Sequence, residues 1–183
     1  MTTATQHGIS VGTWDLDLSH SHIGFTVRHI VSKVRGAFES FEGTLVTRED
    51  IRESGVNVSV DLSSINTGSA QRDEHLRSSD FFNVEHHPKM SFTSTGVTIS
   101  GDDQYTVSGE LSIGEVTRPV ELAVEFLGEG PDPWSGTRLG VEATTSISRQ
   151  DFGIDFNIPI QGERAMIGNK IDILITAEAV LQQ

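Results

Sequence analysis

Apolar and polar residues alternate along most of this chain after its first dozen residues. In the segment from Tyr105 to Ile113, for example, Tyr105, Val107, Leu111 and Ile113 share one parity, with polar residues between them. Successive side chains of a β-strand point to opposite faces, so this pattern predicts strands with one apolar face. Segments of this kind are Trp14–Leu18, Ile23–Val27, Val56–Leu62, Tyr105–Ile113, Val120–Phe126, Leu139–Ile147 and Ile171–Ala177, with less regular ones at Val34–Val46 and Met90–Ile99.

One stretch departs from the alternation. From Ala70 to Asn83 the sequence is AQRDEHLRSSDFFN, in which Arg72, His75 and Leu76 fall on one helical stripe. The stretch predicts a short helix followed by a turn. A helix-bearing connection between strands often carries function, so we expect it to form a lid over the end of a sheet structure.

The number and spacing of the strands define the fold class. Eight or so strands, separated by turn sequences such as Gly101–Asp103, are typical of an all-β sandwich or a closed barrel. Gly36, Gly43 and Gly109 lie inside strand segments and predict bulges or bends. Residues 1–11 have no such pattern and predict a flexible tail, which leaves a single domain at 12–183.

Composition narrows the possible partners. The chain of 183 residues has 26 Asp and Glu against 13 Lys and Arg, a net charge of -13. This charge disfavours nucleic acid as a partner and a standing attraction of the whole protein to anionic membranes. The sequence contains no cysteine, no basic apolar leader and no run long enough to span a membrane. We therefore expect a cytoplasmic protein without stable membrane insertion.

Seven histidines raise the possibility of a metal site, but their spacing does not favour one. His20 and His22 share a strand face without an evident third ligand, and His86 and His87 point to opposite faces. We predict no metal ligation. His29 differs, because it shares the parity of Ile23, Phe25 and Val27 and needs a hydrogen-bond partner there, either a protein group or a ligand.

Four blocks of the sequence resemble the YceI-like family of polyisoprenoid-binding proteins. They are WDLDLSHSHIGFTVRHIVSKVRGAFESFEG, SSINTGSAQRDEHLRSSDFFNVEHHPKMSFTS, GELSIGEVTRPVEL and SRQDFG, in that order. The resemblance implies a closed, eight-stranded, antiparallel, lipocalin-like β-barrel that holds an isoprenoid chain along its lumen, and it implies a homodimer. His20, His29, Arg72, Asp73, His75 and the turn from Arg149 to Gly153 fall on positions that recur in the family.

Our first hypothesis is a protein that binds a long amphiphilic isoprenoid, a polyprenyl phosphate or an isoprenoid quinone, and needs no other cofactor. The polar head group of the ligand would meet His29, Arg72, Asp73 and His75 near the lid. The residues expected to line the lumen or close it are Phe25, Val27, Phe81, Phe82, Phe92, Leu122, Val124, Phe126, Val141, Ile147 and Phe152.

Two other functions stay open at this point. The first is an enzyme that acts on a small apolar substrate, with His29 and Asp73 as acid–base groups. The second is a structural module without a ligand. Arg72, Asp73 and His75 could equally be a surface charge pattern that anchors the helix to the barrel.

Overall fold

The computed structural model describes residues 7–162 and 164–183. Within these residues the chain forms eleven strands and one α-helix, α1 (Ala70–Arg77), joined by short 3-10 turns. The strands are β1 (Gly12–Leu16), β2 (His22–His29), β3 (Ser32–Phe38), β4 (Phe41–Thr47), β5 (Gly55–Asp61), β6 (Ile65–Asn66), β7 (Lys89–Gly101), β8 (Gln104–Ile113), β9 (Val116–Pro131), β10 (Thr137–Ser148) and β11 (Ile167–Leu181). The one helix of the described part is too short to span a bilayer.

Eight of these strands close into an antiparallel barrel. The hydrogen-bonded order is β1-β4-β5-β7-β8-β9-β10-β11, and β11 pairs with β1 to complete the ring. The predicted all-β, eight-stranded barrel with a short helix is thus confirmed. Closure leaves no free sheet edge around the ring, and it encloses the apolar faces of all eight strands.

The remaining strands form a wing that branches from β11. The first half of β11, around Ile171–Thr176, pairs with β2, whereas its last residues pair with β1. From β2 the wing continues to β3 and then to β6. The long β11 therefore belongs to both parts and fixes the wing, with the connection to α1, against one end of the barrel.

Of the three glycines predicted to mark bulges or bends, Gly109 adjoins a shift of register, whereas Gly36 and Gly43 do not. The register runs without a shift past Gly36 and Gly43. A shift does occur beside Gly109, where Gly109 and Ser108 pair with Ser94 and Gly96, and others occur between Ile99 and Gly101, near Gly140 and between Ile167 and Ile171. A Cβ on Gly36 or Gly109 would lie 2.4 or 2.3 Å from the ring of Phe25 or Phe92. These two glycines make room for an aromatic ring across the strand.

A packed cluster closes one end of the barrel, which we call the closed end. Trp14 is fully buried there and its indole N–H donates to Thr47 Oγ1 at 2.9 Å. Ile9 belongs to the same cluster and is 6% exposed, and Ser10 is hydrogen bonded to Glu129. Ile9 and Ser10, which precede the domain boundary predicted after residue 11, are thus packed against the barrel, and the boundary itself stays a prediction. Residues 1–6 of the predicted tail lie outside the described residues.

The opposite end carries the lid segment, which we define as residues 70–82. α1 ends at Arg77 and a turn follows, as predicted for this stretch, because Ser78 has extended backbone angles and caps the helix by donating to His75 O. The chain then turns so that Phe82 packs against the apolar clusters on two sides of the barrel. The aromatic pair after the helix is thus part of the cover rather than of the helix.

Candidate functional site

The lumen contains a cavity in three contiguous sections along the barrel. A mouth section of about 130 Å³ lies under the lid segment, a middle section of about 220 Å³ follows, and a section of about 80 Å³ ends at the closed end. Ile23, Met90 and Ile173 line both the mouth and the middle sections. Val124 and Val141 line both the middle and the closed-end sections. The three sections therefore adjoin one another along the length of the barrel.

The side chains around this space are almost entirely apolar. Within the described residues, the middle section has no charged lining residue, and its polar side chains are only the hydroxyls of Thr44, Ser91 and Thr145. The mouth section has one charged lining residue, Arg149. An elongated cavity with such walls suits a long hydrocarbon chain, because each buried CH₂ contributes about 0.8 kcal/mol.

Arg149 is buried at the mouth, where it holds the loop that follows β10. Its guanidinium donates to the carbonyl oxygens of Gly168, Ile154 and Phe156 at 3.0, 3.0 and 2.8 Å. Burial lowers the pKa of Arg149 from its usual value, and the nearby Asp155 carboxylate opposes this effect. These bonds fasten the loop across the barrel end, and Arg149 Nη2 makes only a 3.5 Å contact with the Ile167 carbonyl.

The structure places most of the predicted lumen residues along the cavity. The mouth section is lined by Phe25, Val27, Phe81, Phe82 and Ile147. The middle section is lined by Phe92, Leu122, Val124 and Val141, and the closed-end section by Phe126. Phe152 is 5% exposed and packs against Phe92, Leu111 and Ile113 without lining the cavity, so it supports the wall from behind.

Arg72 and Asp73 are joined through Thr67, the residue that follows β6. The Thr67 amide and hydroxyl donate to Asp73 Oδ1 at 2.9 and 2.5 Å. Arg72 Nε and Nη2 donate to the Thr67 hydroxyl and carbonyl oxygens, both at 2.7 Å. Asp73 is 7% exposed, and its contacts face the Thr67 loop. In this arrangement the pair holds α1 to the wing.

His75 lies in an aromatic cluster at the outer side of the lid. Its ring packs edge-on against Phe81 and Phe156, with centroids 5.0 Å away in both cases, and its Nε2 bonds Asp80 Oδ2 at 2.8 Å. Phe81 also lines the mouth section. His75 is therefore one side chain away from the cavity, and it is the predicted head-group residue with the most direct link to the mouth.

His29 lies at the end of β2, half-buried, opposite Ile167. The cavity lining on β2 ends one inward-facing position earlier, at Val27. The Thr67 loop contacts β3 near Gly36, whereas His29 pairs with Ser32 at the other end of that strand. Four residues of strand separate the two positions by about 13 Å. The structure therefore does not bring His29 and Asp73 together.

Sequence reasoning missed two polar groups of the cavity. Arg149 was recognised only through the family turn, and its burial depends on carbonyl partners that no local pattern reveals. Tyr105 lines the closed-end section and is 5% exposed, and its hydroxyl has no hydrogen-bond partner among the described residues. Burial raises the pKa of this hydroxyl above its usual value, and the charge of Asp103 adds to the effect.

Asp17, His20 and Glu178 come close enough together to suggest a cation site on the outer surface. Arg138 already occupies the space between the carboxylates, donating to Asp17 at 2.6 Å and to Glu178 at 2.7 Å. His20 Nδ1 bonds the same Asp17 carboxylate at 2.8 Å. The acidic groups are thus paired with a fixed guanidinium, and the cluster is an ion-pair network that ties β1, β10 and β11 together.

A larger depression of about 830 Å³ lies on the outside of the barrel, across β8–β11 and β2–β3. Its walls mix polar and charged residues, including His22, Arg35, Glu121 and Asp172, and it is open to solvent. The lumen is the better candidate for a ligand site, because it is enclosed and chemically uniform.

Comparison with known sequences agrees with this geometry. A model of the YceI-like domain matches residues 14–179. A UPF0312 protein of Photorhabdus laumondii is 39% identical over 171 residues, which span 92% of this chain and 85% of that protein. Protein YceI of Escherichia coli is 36% identical over 171 residues, with 92% and 86% covered. The resemblance stated from the four sequence blocks is confirmed.

Solved structures show the same fold at lower identity. Burkholderia cenocepacia BcnA matches with a TM-score of 0.79 and 18% identity, over 89% of this chain and 98% of that one. A polyisoprenoid binding domain from Saccharophagus degradans, implicated in plant cell wall breakdown, matches with a TM-score of 0.73 and 14% identity, over 94% and 100%. At these identities the likeness establishes the fold.

Proposed function

The chain belongs to the YceI-like domain family, and from this premise we propose that it binds a long-chain amphiphilic isoprenoid inside the barrel. The observation that carries the proposal is the elongated cavity, whose middle section has no charged lining residue among the described residues. The polyisoprenoid-binding neighbour supports the same class of ligand. The protein would act as a carrier, a store or a sensor of that lipid.

The arrangement of the walls favours a flexible chain that enters from the lid end. The closed end is sealed by Trp14 and Leu139, which are 0% and 3% exposed. At the lid end the cavity is covered by the side chains of Leu76, Phe81 and Phe82. Met90 stands between the mouth and the middle sections, and a methionine side chain adapts its shape at low cost. The tail would therefore lie along the barrel with its polar head under the lid.

For the head group we keep His75, Arg72, Asp73 and His29 as candidates and rank them by access. His75 touches Phe81 of the cavity wall, whereas Arg72 and Asp73 are engaged with Thr67. The buried Arg149 donates from Nε and Nη1 to three carbonyl oxygens, and its Nη2 has only a 3.5 Å contact, with the Ile167 carbonyl. Arg149 is the one charged residue of the cavity wall within the described residues, and three carbonyl groups already engage it, so we propose that a neutral quinone head fits better than a phosphate.

The test of the head group is competition binding with one prenyl chain that carries either a quinone or a phosphate. We expect the quinone to bind more tightly, and His75→Ala to weaken binding by about 1 kcal/mol, the contribution of one neutral hydrogen bond. Arg72→Ala should have a similar effect on both ligands, since it acts through the position of α1. Tighter binding of the phosphate, with selective loss in Arg72→Ala, would reverse the ranking.

The test of the lumen is extraction of lipid from the purified protein, followed by mass spectrometry. Leu122→Asp places a carboxylate on the cavity wall, whereas Ala123→Asp places the same group on the exposed face of the same strand. We expect co-purified prenyl lipid with wild type and with Ala123→Asp and none with Leu122→Asp, because a buried unpaired charge is costly. Val124→Phe, which fills the middle section without a charge, should also exclude the lipid.

Unchanged lipid content in both Leu122→Asp and Val124→Phe would show that the lumen is not the binding site. Circular dichroism and thermal melting of each variant separate loss of binding from loss of folding. Straight alkyl lipids of matched length, offered in competition, test whether the branched prenyl chain is preferred.

A catalytic function has less support in this geometry. About 13 Å of strand separates the neighbourhoods of His29 and Asp73, so the two groups cannot exchange a proton with one small substrate. Incubation of a prenyl ligand with the protein and recovery of the ligand at unchanged mass is the result we expect.

Two further properties are proposals of their own. We propose a homodimer, to be measured by light scattering after size-exclusion chromatography. We also propose that the protein acts in the cytoplasm, to be measured by fractionation of cells that express it at its natural level.

A further inference from the structure

The hairpin between β2 and β3 ends in two exposed apolar residues. Ile30 and Val31 form the turn between His29 and Ser32, and they are 43% and 90% exposed. Ile158, 46% exposed, lies on the adjoining loop, which is tied to the hairpin because the Ile30 amide donates to the Met166 carbonyl and the Met166 amide to the Ile158 carbonyl. We call Ile30, Val31 and Ile158 the apolar rim.

The backbone of this turn makes its composition unusual. Ile30 has a φ of 54°. A two-residue hairpin turn whose first central residue has positive φ normally has glycine there, and a β-branched residue in that region is strained. Val31 is the most exposed large apolar residue of the described part of the chain. The stability of the fold alone would favour small or polar residues in this turn. The presence of Ile30 and Val31 therefore indicates a role other than folding.

The hairpin that carries Ile30 and Val31 has a charge opposite in sign to that of the whole protein. From Leu18 to Phe38 the sequence contains no Asp or Glu, although the chain has 26 of them. Arg28 and Lys33 face each other directly across the hairpin, as the second residue pair from the turn, and both are exposed. Two cations in such a cross-strand pair repel each other, while Arg28 Nη1 also donates to the Ile30 carbonyl at 3.0 Å.

The rim adjoins the mouth of the cavity. Val27 and Ile167, which line the mouth section, lie on the two strands that lead to the rim. β2 continues only to His29, about 7 Å beyond Val27, before the turn at Ile30 and Val31. A surface in contact with the rim would thus lie next to the lid end of the lumen.

We propose that the apolar rim docks the protein on an anionic lipid bilayer. Ile30 and Val31 enter the boundary between head groups and acyl chains, while Arg28 and Lys33 meet lipid phosphates, the usual division of labour at such interfaces. The protein has an overall charge of -13, so the rest of its surface is repelled by the same membrane. This repulsion orients the protein with its rim toward the membrane. The contact is peripheral, and it goes beyond the proposed ligand binding by giving the lipid a route into the barrel.

The experiment is flotation of the purified protein with vesicles of phosphatidylcholine alone or mixed with phosphatidylglycerol. We expect binding to the mixed vesicles that high salt removes. Val31→Asp should weaken it about tenfold, as expected when a buried Val is lost, and Lys33→Glu at least about fivefold. Leu127→Asp, at a 55% exposed position on β9 outside the rim, is the matched control and should bind like wild type.

Ile30→Gly separates docking from folding. Glycine adopts a positive φ without the strain that isoleucine has there. This variant should therefore melt at a higher temperature than wild type and yet bind vesicles less. Absence of wild-type binding to both vesicle types, equal binding to both, or equal binding by Val31→Asp and Leu127→Asp would each overturn the proposal.

Failure of docking is distinguishable from failure of ligand binding. Prenyl quinone presented in detergent, without vesicles, should bind to wild type and to Val31→Asp with the same affinity, because Val31 is outside the cavity lining. If the protein does not dock on vesicles but still binds prenyl quinone in detergent, only the proposed membrane contact of the rim is refuted. If wild type binds no prenyl ligand in detergent, the lumen proposal fails while the vesicle result still decides the rim.

Discussion

At the scale of single residues, the polar groups of the cavity have opposite effects on stability. Arg149 is buried but satisfied, with three carbonyl oxygens at 3.0 Å or less. The Tyr105 hydroxyl is buried and has no partner among the described residues. A buried donor with partners stabilises a fold, whereas one without them costs about 1–3 kcal/mol. The two residues thus give two predictions of opposite sign.

Replacement of Arg149 by lysine should destabilise the protein. Lysine keeps the charge but cannot hold three carbonyl oxygens in the fixed geometry of a guanidinium. We expect a loss of about 2–3 kcal/mol in the free energy of unfolding, comparable to losing hydrogen bonds of a charged donor. Urea titration measures it, and Arg164→Lys, on an exposed position of the same loop, is the control. Equal stability of both variants would contradict the role of Arg149 in fastening the loop.

Replacement of Tyr105 by phenylalanine should stabilise the ligand-free protein or leave it unchanged. The ring still fills the closed end, and an unpaired hydroxyl is removed, for a gain of up to about 1 kcal/mol. Urea titration at neutral pH is again the measurement. A marked loss of stability would mean that the hydroxyl has a partner, such as an ordered water molecule between Tyr105 and the neighbouring His7 ring.

At the scale of elements, α1 acts as a lid because of its anchors more than its own helical pattern. The helix has eight residues, too few to be stable alone, and it buries Asp73 rather than an apolar stripe. Thr67 joins both Arg72 and Asp73, and Arg77 donates to the carbonyl groups of Ser63 and Ile65. These bonds tie the helix to the β6 connection and leave Leu76 over the mouth section.

Removal of the Asp73 anchor should therefore loosen the lid. Asp73→Ala leaves the Thr67 amide and hydroxyl without their acceptor, so we expect hydrogen exchange of residues 67–82 to speed up and stability to fall by about 1–3 kcal/mol. Glu74→Ala, exposed on the same helix, is the control. Unchanged exchange in Asp73→Ala would show that other contacts hold the helix in place.

At the scale of the whole molecule, ion pairs join the two ends of the chain into the barrel. Arg138 on β10 bonds Asp17, Asp132 and Glu178, which belong to three different parts of the sequence. Hydrogen bonds from Arg138 and His20 hold the pKa of the Asp17 carboxyl well below its usual range. Backbone N–H groups of the turn, chiefly Gly136, and Arg138 lower the pKa of Asp132.

This network should make the protein sensitive to acid. A carboxyl whose pKa is lower in the folded than in the unfolded state stabilises the fold above its unfolded pKa, near 4, and the contribution is lost as pH falls toward the folded value. Arg138→Leu should therefore lower stability at neutral pH and flatten the fall of stability below about pH 4.

The measurement is the melting temperature across the acid range, with Arg52→Leu as the comparison. Arg52 lowers the pKa of Asp50 to about 2, but the two residues are close in sequence and Arg52 is exposed. The Arg52–Asp50 interaction therefore contributes less to the free-energy difference between the folded and unfolded states. An acid limb in Arg138→Leu as steep as in wild type would contradict the role of the network.

Local pattern was sufficient for the strands and for the character of the lumen. Alternation placed Phe25, Leu122 and Val141 on inward faces, and they line the cavity, because the two faces of a strand are decided residue by residue. The same pattern, with the resemblance, predicted eight strands and a lid helix. It could not predict the closed end, where Ile9 from the expected tail packs beside Tyr105 and Leu139.

What only the tertiary structure decided is the partner of each polar side chain. Arg72 and Asp73 were expected to face a ligand, and they are joined to Thr67, while Arg149 entered the mouth section as a fastening for its loop. A guanidinium or carboxylate binds whatever donor or acceptor the fold brings within about 3 Å, and that depends on residues far away in sequence. The amino-acid sequence determined the apolar lumen. Long-range packing determined which charged side chains remain available to contact a ligand in it.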